Sequence, residues 1–289
     1  MSSGVGRASE QVPRISVVMI DGSFRERYHA VDSFCCQDLP PSAYEVIWVE
    51  YYNAVSPVLR GKEQRYGNFR VITLNRTGEY HSSFCFNRGI VESRGELLVI
   101  PDADVLVEHD FLRDVAEEHR TCDDLAMYIY RYNEMKEDHR DDIDMDRLRA
   151  VCRVTGPTNF GGCLTVRKKW MIEINGYEQH PVFGTGFHAN GADVAGRFRA
   201  LGLKIQWHPQ LKLYHPYHDL TLTHMETSYK RQLRFIEWRR RKLQWLTYRG
   251  IDPARDRELE PELAAFLAEE PEPTFAGRLK NLVFGKRGN

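Results

Sequence analysis

The stretch Gly95-Glu-Leu-Leu-Val-Ile-Pro-Asp-Ala-Asp104 decides how this chain is interpreted. Its apolar run Leu97–Ile100 has the composition of a strand that is buried on both faces of a sheet. The run leads to two carboxylates, Asp102 and Asp104, whose spacing points both side chains to one face if the backbone stays extended. In open α/β sheets, ligands bind beyond the carboxyl ends of the strands. Two carboxylates at that edge are suited to hold a divalent cation together with diphosphate oxygens.

A chance pair of surface acids is the alternative, because the chain contains a second run of this kind, Asp142-Ile-Asp144-Met-Asp146. That run lacks the glycine and the closing glutamate of an EF-hand loop, and it fits the start of a solvated helix. Asp102 and Asp104 differ from this second run because a predicted buried strand comes directly before them. The metal-site interpretation is therefore favoured for that pair.

Three similar apolar runs precede this strand, at Ile15–Ile20, Val46–Val49 and Val71–Leu74. Segments long enough for a crossover helix lie between runs, at Arg25–Gln37 and His81–Arg94. Strands that alternate with helices predict βαβ units. We therefore expect an α/β fold with a mostly parallel central sheet and helices on both faces.

The composition excludes several classes of protein. The chain has 289 residues, enough for one large core with an appendage, and its formal net charge of −1 gives no overall attraction to nucleic acid. The six cysteines contain no C-x-x-C pair, the first residues lack the apolar core of a signal peptide, and no apolar run approaches the ~18 residues of a membrane span. We expect a cytoplasmic protein with no nucleic-acid partner.

Four stretches together resemble the family-two inverting glycosyltransferases, in particular their chondroitin-polymerase-like catalytic domains. They are Val17–Ser23, Phe86–Ile90, Pro101–Asp104 and Gly161–Tyr177, and the resemblance spans about Ile15 to Asp219. It implies a GT-A fold, a nucleoside-diphosphate sugar as donor with a UDP-sugar as first choice, and Mn²⁺ or Mg²⁺ as cofactor. The implied acceptor is a hydroxyl of a glycan, a lipid-linked sugar or a small molecule.

The resemblance also implies the metal ligands: Asp102, Asp104 and His215, with His218 as the second choice for the histidine. A third ligand is expected because the cation must be held rigidly beside a leaving group that gains charge. Without the resemblance, the histidines between His208 and His224 suggest a zinc site, but no cysteine completes a usual ligand set.

The resemblance makes Asp193 the candidate general base, which takes the proton from the acceptor hydroxyl in a single displacement that inverts the anomeric centre. The chain departs from the family pattern here, because Ala192 replaces the acid that usually precedes this residue. The alternative role for Asp193 is the N-cap of a helix at Val194–Arg199.

Donor and acceptor contacts are expected from two further sets of residues. The donor nucleotide is expected to contact Asp21, Ser23, Glu50, Asn87, Arg88 and Asp102, although Glu50 replaces the usual Asp and Arg88 is equally typical of a surface charge. The acceptor pocket is expected to include Gly161, Gly162, Gly186 and His188.

The segment Tyr229–Arg249 predicts a basic amphipathic helix, with eight Lys or Arg against one acid. Such a helix can lie on an anionic membrane, which here would be the inner face. The favoured alternative is that its apolar stripe packs on the catalytic domain. We expect three regions: a flexible tail at 1–12, a GT-A domain at 13–228, and a helical basic extension with a tail at 229–289.

Two other functions remain open. A sugar-1-phosphate nucleotidylyltransferase needs a Gly-rich, basic loop after the first strand, and Asp21–Arg25 has a single Gly and no Lys. A non-catalytic protein that binds sugar nucleotides or acts as a scaffold is favoured by Ala192 and by the irregular first loop.

Overall fold

The structure, a computed structural model, describes residues 15–156, 159–184, 189–219, 229–258 and 261–268. Its strands are β1 (Ile15–Asp21), β2 (Tyr44–Glu50), β3 (Phe69–Thr73), β4 (Leu97–Pro101), β5 (Leu125–Asn133), β6 (Arg153–Val154), β7 (Cys163–Arg167) and β8 (Lys204–His215). Its helices are α1 (His29–Cys35), α2 (Pro57–Arg65), α3 (Ser82–Glu92), α4 (Phe111–Thr121), α5 (Met145–Val151), α6 (Lys168–Glu173), α7 (Asn190–Leu201), α8 (Tyr229–Leu243) and α9 (Pro261–Ala268).

The eight strands form one sheet in the order β3-β2-β1-β4-β7-β5-β6, with β8 paired to β5. Strands β1 to β4 are parallel to their neighbours among themselves, and β7 runs antiparallel to both β4 and β5. The register places Asp21 opposite Glu50 at the ends of β1 and β2. The carboxyl ends of β1, β2 and β4 therefore meet at one edge, as the apolar runs predict.

The apolar runs fill two cores, one on each face of the sheet. Val17 and Met19 of β1 lie in one core with residues of α1 and α4, whereas Val18 lies in the other with residues of α3, α6 and α7. Successive side chains of a strand point to opposite faces, so a strand covered on both sides must be apolar at every position. This confirms the predicted layers of an α/β fold.

Two predicted helices have different bounds in the structure. The first begins at His29 rather than Arg25, because Arg25 stays in the loop after β1 and pairs with Asp104. The helix predicted to reach Arg249 ends at Leu243, since Gln244 has a φ of 56°, in the left-handed region that terminates helices.

Helix α8 packs on the rest of the chain through a face centred on Phe235, which also buries the polar side chains of Gln232 and Arg239. Phe235 is buried in a cluster with Val182, Phe183 and Tyr248, while Leu233, another apolar residue of the helix, is 44% exposed. The structure therefore shows the packed arrangement for the described part of this segment. None of the described helices is long and apolar enough to cross a membrane.

The pairing of β5 with β8 brings a late part of the chain to the edge of the sheet where β4 ends. Their parallel register shifts between Ile129 and Tyr130 and continues to Asn133, which lies opposite His215. Strand β8 is continuous from Lys204 to His215, with an irregularity in its pairing at this shift.

The contact of α3 with the sheet provides a test of this packing. A Cβ at Gly89 would collide with Cγ1 of Val18 and approach Cγ2 of Val49 to 3.2 Å, whereas a Cβ at Gly196 in α7 would meet nothing within 4 Å. We expect Gly89→Ala to lower the free energy of unfolding in urea by about 1–3 kcal/mol through overpacking. Gly196→Ala is the control, and its better helix propensity is expected to raise stability by up to about 1 kcal/mol. Equal effects of the two substitutions would contradict the close approach of α3 to β1.

Candidate metal and nucleotide site

Three side chains at the carboxyl edge of the sheet form a cluster with the composition of a metal site. Asp104 lies just after β4, His215 ends β8, and His218 follows in the next turn. Nε2 of His215 lies 3.5 Å from Oδ1 of Asp104, and Nε2 of His218 lies 3.4 Å from Oδ2. The two Nε2 atoms are 3.2 Å apart, and one ligand atom from each residue falls within 4.8 Å of the others. A single cation of first-row size fits among donors at these separations.

The Asp104 carboxylate is ionised, and one of its two oxygens has no hydrogen-bond partner. Its burial raises the pKa, but the charge of Arg25 and the neighbouring imidazoles of His215 and His218 outweigh that effect and hold the pKa of Asp104 well below its usual range. Oδ2 pairs with Nη1 of Arg25, whereas Oδ1 is buried without a hydrogen-bond partner. An unpartnered carboxylate oxygen that faces an imidazole fits a divalent cation, because a buried lone pair without a donor is costly.

Asp102 lies beside this cluster and is not one of its three side chains, so its expected role as a second metal ligand stays a prediction. Strand β4 ends at Pro101, so the extended geometry that would align the two side chains is absent. Asp102 instead accepts a hydrogen bond of 3.0 Å from Nη1 of Arg131 on β5. Burial and the nearby charge of Asp104 raise its pKa to about 6. Asp102 therefore lies beside the cluster and is held by its own arginine.

The structure brings Asp21, Ser23 and Glu50 together at the ends of β1 and β2. The Ser23 hydroxyl donates to Oε1 of Glu50 at 2.8 Å, and the Trp48 indole lies 3.4 Å from Oε2. Asp21 is fully buried, and this burial raises its pKa to about 6 despite the nearby Arg25. These acids are suited to accept hydrogen bonds from a base or ribose once a ligand displaces their present donors.

An aromatic cluster that the sequence did not single out covers this end of the sheet. Tyr80 makes edge contacts with Phe24 and Tyr51 at centroid distances of 5.3 Å, and Tyr51 makes one with Tyr52 at 4.9 Å. The adjacent pair Tyr51 and Tyr52 was a visible signal, since aromatic faces after a strand end can stack on a base. The sequence around Tyr80 does not indicate a place in this cluster, because its ring comes close to Gly22 only in the folded chain.

Asn87 and Arg88 both have contacts within the fold. The Asn87 amide donates to the carbonyl of Tyr177 at 2.8 Å and accepts from the Tyr177 amide at 2.7 Å, so its side chain fixes that backbone. Arg88 is half-exposed and pairs with Glu92 one helical turn later at 2.8 Å. Asn87 is buried in the fold and Arg88 has the surface position that was the alternative, and contact of either residue with a donor stays a prediction.

The described glycines of the expected acceptor pocket adjoin the carboxylate edge. Gly161 and Gly162 form the turn before β7, and the Gly162 carbonyl accepts from the Asp102 amide at 2.8 Å. The N-terminus of α7 packs so closely on this turn that a Cβ at Gly191 would lie 2.6 Å from the Phe160 backbone. Gly186 and His188 lie outside the described residues, as do His224 and the tail at 1–12.

Asp193 lies in a buried ionic cluster, which differs from the exposed position expected of a general base. One of its oxygens accepts from Nε of Arg197 at 3.0 Å, and the other pairs with Arg239 of α8. Arg239 also pairs with Glu178 at 3.0 Å, and all four side chains are at most 2% exposed. Burial raises the pKa of Asp193, but the two arginines outweigh it and lower the pKa. The N-cap alternative is also wrong, since α7 begins at Asn190 and Asp193 lies in its first turn.

A cleft of about 370 Å³ opens beside the Asp104, His215 and His218 cluster. Arg131, Asn133 and Lys136 line it from the end of β5, and both histidines line it from the end of β8. Nε of Arg131 is buried without a partner, which leaves a hydrogen-bond donor available next to Asp102. Sequence spacing gave no sign of Arg131, because only the pairing of β5 within the sheet places it near β4.

No known family model matches the chain, and no curated protein matches its sequence. Among solved structures, the fold resembles the mannosyltransferase PcManGT from Pyrobaculum calidifontis in complex with GDP-Man and Mn²⁺, with a TM-score of 0.53 and 12% identity over 90% of this chain and 70% of that chain. It also resembles the structure of GalNAc-T7 with UDP, GalNAc and Mn²⁺, with a TM-score of 0.53 and 13% identity. The match covers 72% of this chain and 44% of that chain, so this chain spans less than half the length of GalNAc-T7. At these identities the likeness concerns the fold alone. The chain has the predicted GT-A fold, with a central mixed sheet covered by helices.

Proposed function

We propose that this protein is an inverting, metal-dependent glycosyltransferase of the family-two type. It moves a sugar from a nucleoside-diphosphate sugar, with a UDP-sugar as first choice, to a hydroxyl of a glycan, a lipid-linked sugar or a small molecule. The observation that carries the proposal is the cluster of Asp104, His215 and His218 at the carboxyl edge of a GT-A sheet, where ligands of open α/β sheets bind. The domain at 13–228 would carry the reaction, and the segment 229–289 would form its basic extension.

Asp104, His215 and His218 would hold a Mn²⁺ or Mg²⁺ ion, with Asp102 beside them. When bound there, the cation supplies positive charge to a diphosphate leaving group. Two arginines are placed for the same task, since Arg25 pairs with Asp104 and Arg131 with Asp102. A guanidinium can exchange a carboxylate for phosphate oxygens, because it binds both in the same forked geometry.

The nucleoside would lie at the ends of β1 and β2, where Asp21, Ser23 and Glu50 can receive its hydrogen bonds beside the aromatic cluster. The acceptor would enter from the other side of the Asp104 cluster, where the cleft and the turn at Gly161 and Gly162 adjoin Asp102. This division follows the strand order, which places β1 and β2 on one side of β4 and places β5 and β8 on the other.

The pairing of Asp193 with two arginines favours a second function, the binding of sugar nucleotides without sugar transfer. A base must accept a proton, and a carboxylate that is bonded by two arginines and has a lowered pKa is a poor proton acceptor. Asp193 can serve as the base only in a form of the protein in which Arg239 has withdrawn. If that form does not exist, the protein binds sugar nucleotides without transferring sugar.

The donor site can be tested by calorimetric titration with UDP, GDP and dTDP, each with and without Mn²⁺. We expect metal-dependent binding of one of these nucleotides, and we expect Asp104→Asn to weaken it by about tenfold or more through loss of a ligand charge. Asp123→Asn is the matched control, because this carboxylate is 58% exposed and pairs with Lys169 just before the start of β5, away from the cluster, and it should bind as the wild type does. A folded protein that binds none of the three nucleotides would exclude the transferase proposal.

The ligand set predicts which metal binds more tightly. Two imidazoles and one carboxylate suit first-row transition ions, whereas Mg²⁺ prefers oxygen ligands and water. We expect Mn²⁺ and Co²⁺ to bind more tightly than Mg²⁺ in calorimetric titrations. We also expect His218→Gln to reduce the difference in affinity between Mn²⁺ and Mg²⁺, because it replaces one imidazole with a side chain that offers an oxygen ligand. Equal affinities for Mn²⁺ and Mg²⁺ in the wild type would show that the histidines are not ligands.

The role of Asp193 can be separated into structure and catalysis by measuring both unfolding and sugar transfer. Asp193→Asn leaves Arg239 and Arg197 buried with less counter-charge, so we expect a loss of about 3 kcal/mol in the free energy of unfolding. Because the pKa of Asp193 is lowered in the fold, its stabilisation is complete above the ordinary Asp pKa of about 4 and decreases as the pH falls below that value. The difference in the free energy of unfolding between the wild type and Asp193→Asn should therefore become smaller as the pH falls below about 4.

Glu237→Gln is the control for this comparison, since its partner Arg241 lies on the exposed side of α8 and the pair is worth at most about 1 kcal/mol. An Asp193→Asn protein that is as stable as the wild type but no longer transfers sugar would contradict the structural role and support the base.

A further inference from the structure

The turn at His215–His218 carries two of the three side chains of the proposed metal cluster. His215 is the last residue of β8, and Pro216, Tyr217 and His218 lie beyond it. Residues past the end of a strand are not held by the strand's hydrogen-bond ladder, and an imidazole ligand must be held within a fraction of an ångström to keep its metal affinity. Something outside the strand must therefore fix this turn.

Glu134 contacts the turn at two points. Its backbone amide donates to the carbonyl of His215 at 2.9 Å, which extends the pairing of β5 with β8 by one step. Its side-chain Oε2 accepts from the backbone amide of Tyr217 at 2.9 Å. One residue thus holds the turn both at the first histidine and halfway to the second.

The Glu134 carboxylate is itself held rigidly. Oε1 pairs with Nη1 of Arg147, and Oε2 also accepts from Nδ1 of His139 at 3.0 Å. Arg147 donates in addition to the carbonyls of Asp138 and Asp142, both at 3.1 Å. Glu134 is 3% exposed. Its carboxylate is therefore a buried acceptor whose position is fixed from two sides.

We propose that Glu134 is the positioning residue of the metal cluster, and that its carboxylate holds the His215–His218 turn in the geometry that allows both imidazoles to reach one cation with Asp104. The proposal rests on the proposed function, in that it assigns the support for the same metal site. It also gives a role to the acid-rich segment at 134–146, whose start would be the outer support of the site rather than a solvated surface.

The experiment compares three variants by calorimetric titration with MnCl₂ in the absence of nucleotide. Glu134→Gln keeps the shape but replaces one acceptor oxygen with a donor. Glu134→Asp keeps the charge but shortens the reach to Tyr217. Glu117→Gln is the matched control, because it removes an exposed glutamate that also pairs with an arginine, Arg120, elsewhere on the surface.

We expect both Glu134 variants to bind Mn²⁺ about 10- to 100-fold more weakly, the range found when residues that support metal ligands are changed. Glu117→Gln should bind as the wild type does. If Glu134→Asp keeps the wild-type affinity while Glu134→Gln loses it, the effect is one of charge and the positioning role is overturned. If both variants keep the wild-type affinity, the proposal is overturned as well.

A second measurement separates this proposal from failure of the proposed function and from loss of the fold. The ¹³C–¹H NMR signals of the imidazole rings of His215 and His218 in the metal-free protein should shift in both Glu134 variants and stay in place in Glu117→Gln. The signals of His81 and His119, which are buried elsewhere, report whether each variant is folded. If the wild type binds no Mn²⁺, the proposed function fails, and these signals still decide whether Glu134 orders the turn. Unchanged His215 and His218 signals in folded variants would overturn the proposal.

Discussion

The site depends on the balance of charge at the carboxyl edge of the sheet. The topology brings Asp21, Asp102 and Asp104 to this edge, and negative charges that are partly withdrawn from water repel each other strongly. Two arginines oppose this repulsion: Arg25 reaches Asp104 and lies beside Asp21, and Arg131 reaches Asp102. Burial raises the pKa of Asp21 and of Asp102 to about 6, so the balance is incomplete. An edge that retains unbalanced acids and spare donor atoms is suited to bind a cation together with an anionic ligand.

The sequence predicted the sheet because its strands are buried on both faces. Each of the four first runs is apolar at nearly every position, which is the pattern that a doubly covered strand requires, and each became a strand within a few residues of the expected bounds. The helix ends were less predictable. Arg25 has good helix propensity, but its ion pair with Asp104 keeps it in the loop, and no local pattern reports a partner that lies 79 residues away.

The difference between local patterns and distant partners also explains which residues of the site the sequence predicted. Asp104 and His215 were predicted to lie together because each follows a recognisable strand and belongs to a resembling motif, and the structure brings them together. Arg131, Glu134 and Arg239 were missed, since each acts through a partner that is set by sheet pairing or helix packing. The partners of Asp102, Asn87 and Asp193 were not foreseen for a related reason. A motif identifies a residue type at a position, but the side chain's partners come from elements that are distant in the sequence.

The two charged clusters of this protein differ in a way that bears on function. The Glu178, Arg239, Asp193 and Arg197 cluster is buried, and both oxygens of Asp193 are bonded, so removal of a member leaves a buried charge without its partner. The Asp104 cluster contains a carboxylate oxygen without a hydrogen-bond partner, two histidine side chains and a neighbouring cleft. Saturated buried charges hold elements together, because any change in their partners is costly. Unsaturated charges at an open edge can exchange partners at low cost, which is the property that a binding site needs. The chemistry of this chain is therefore expected at the end of β4, with α8 and Arg239 serving to hold α7 in place beside it.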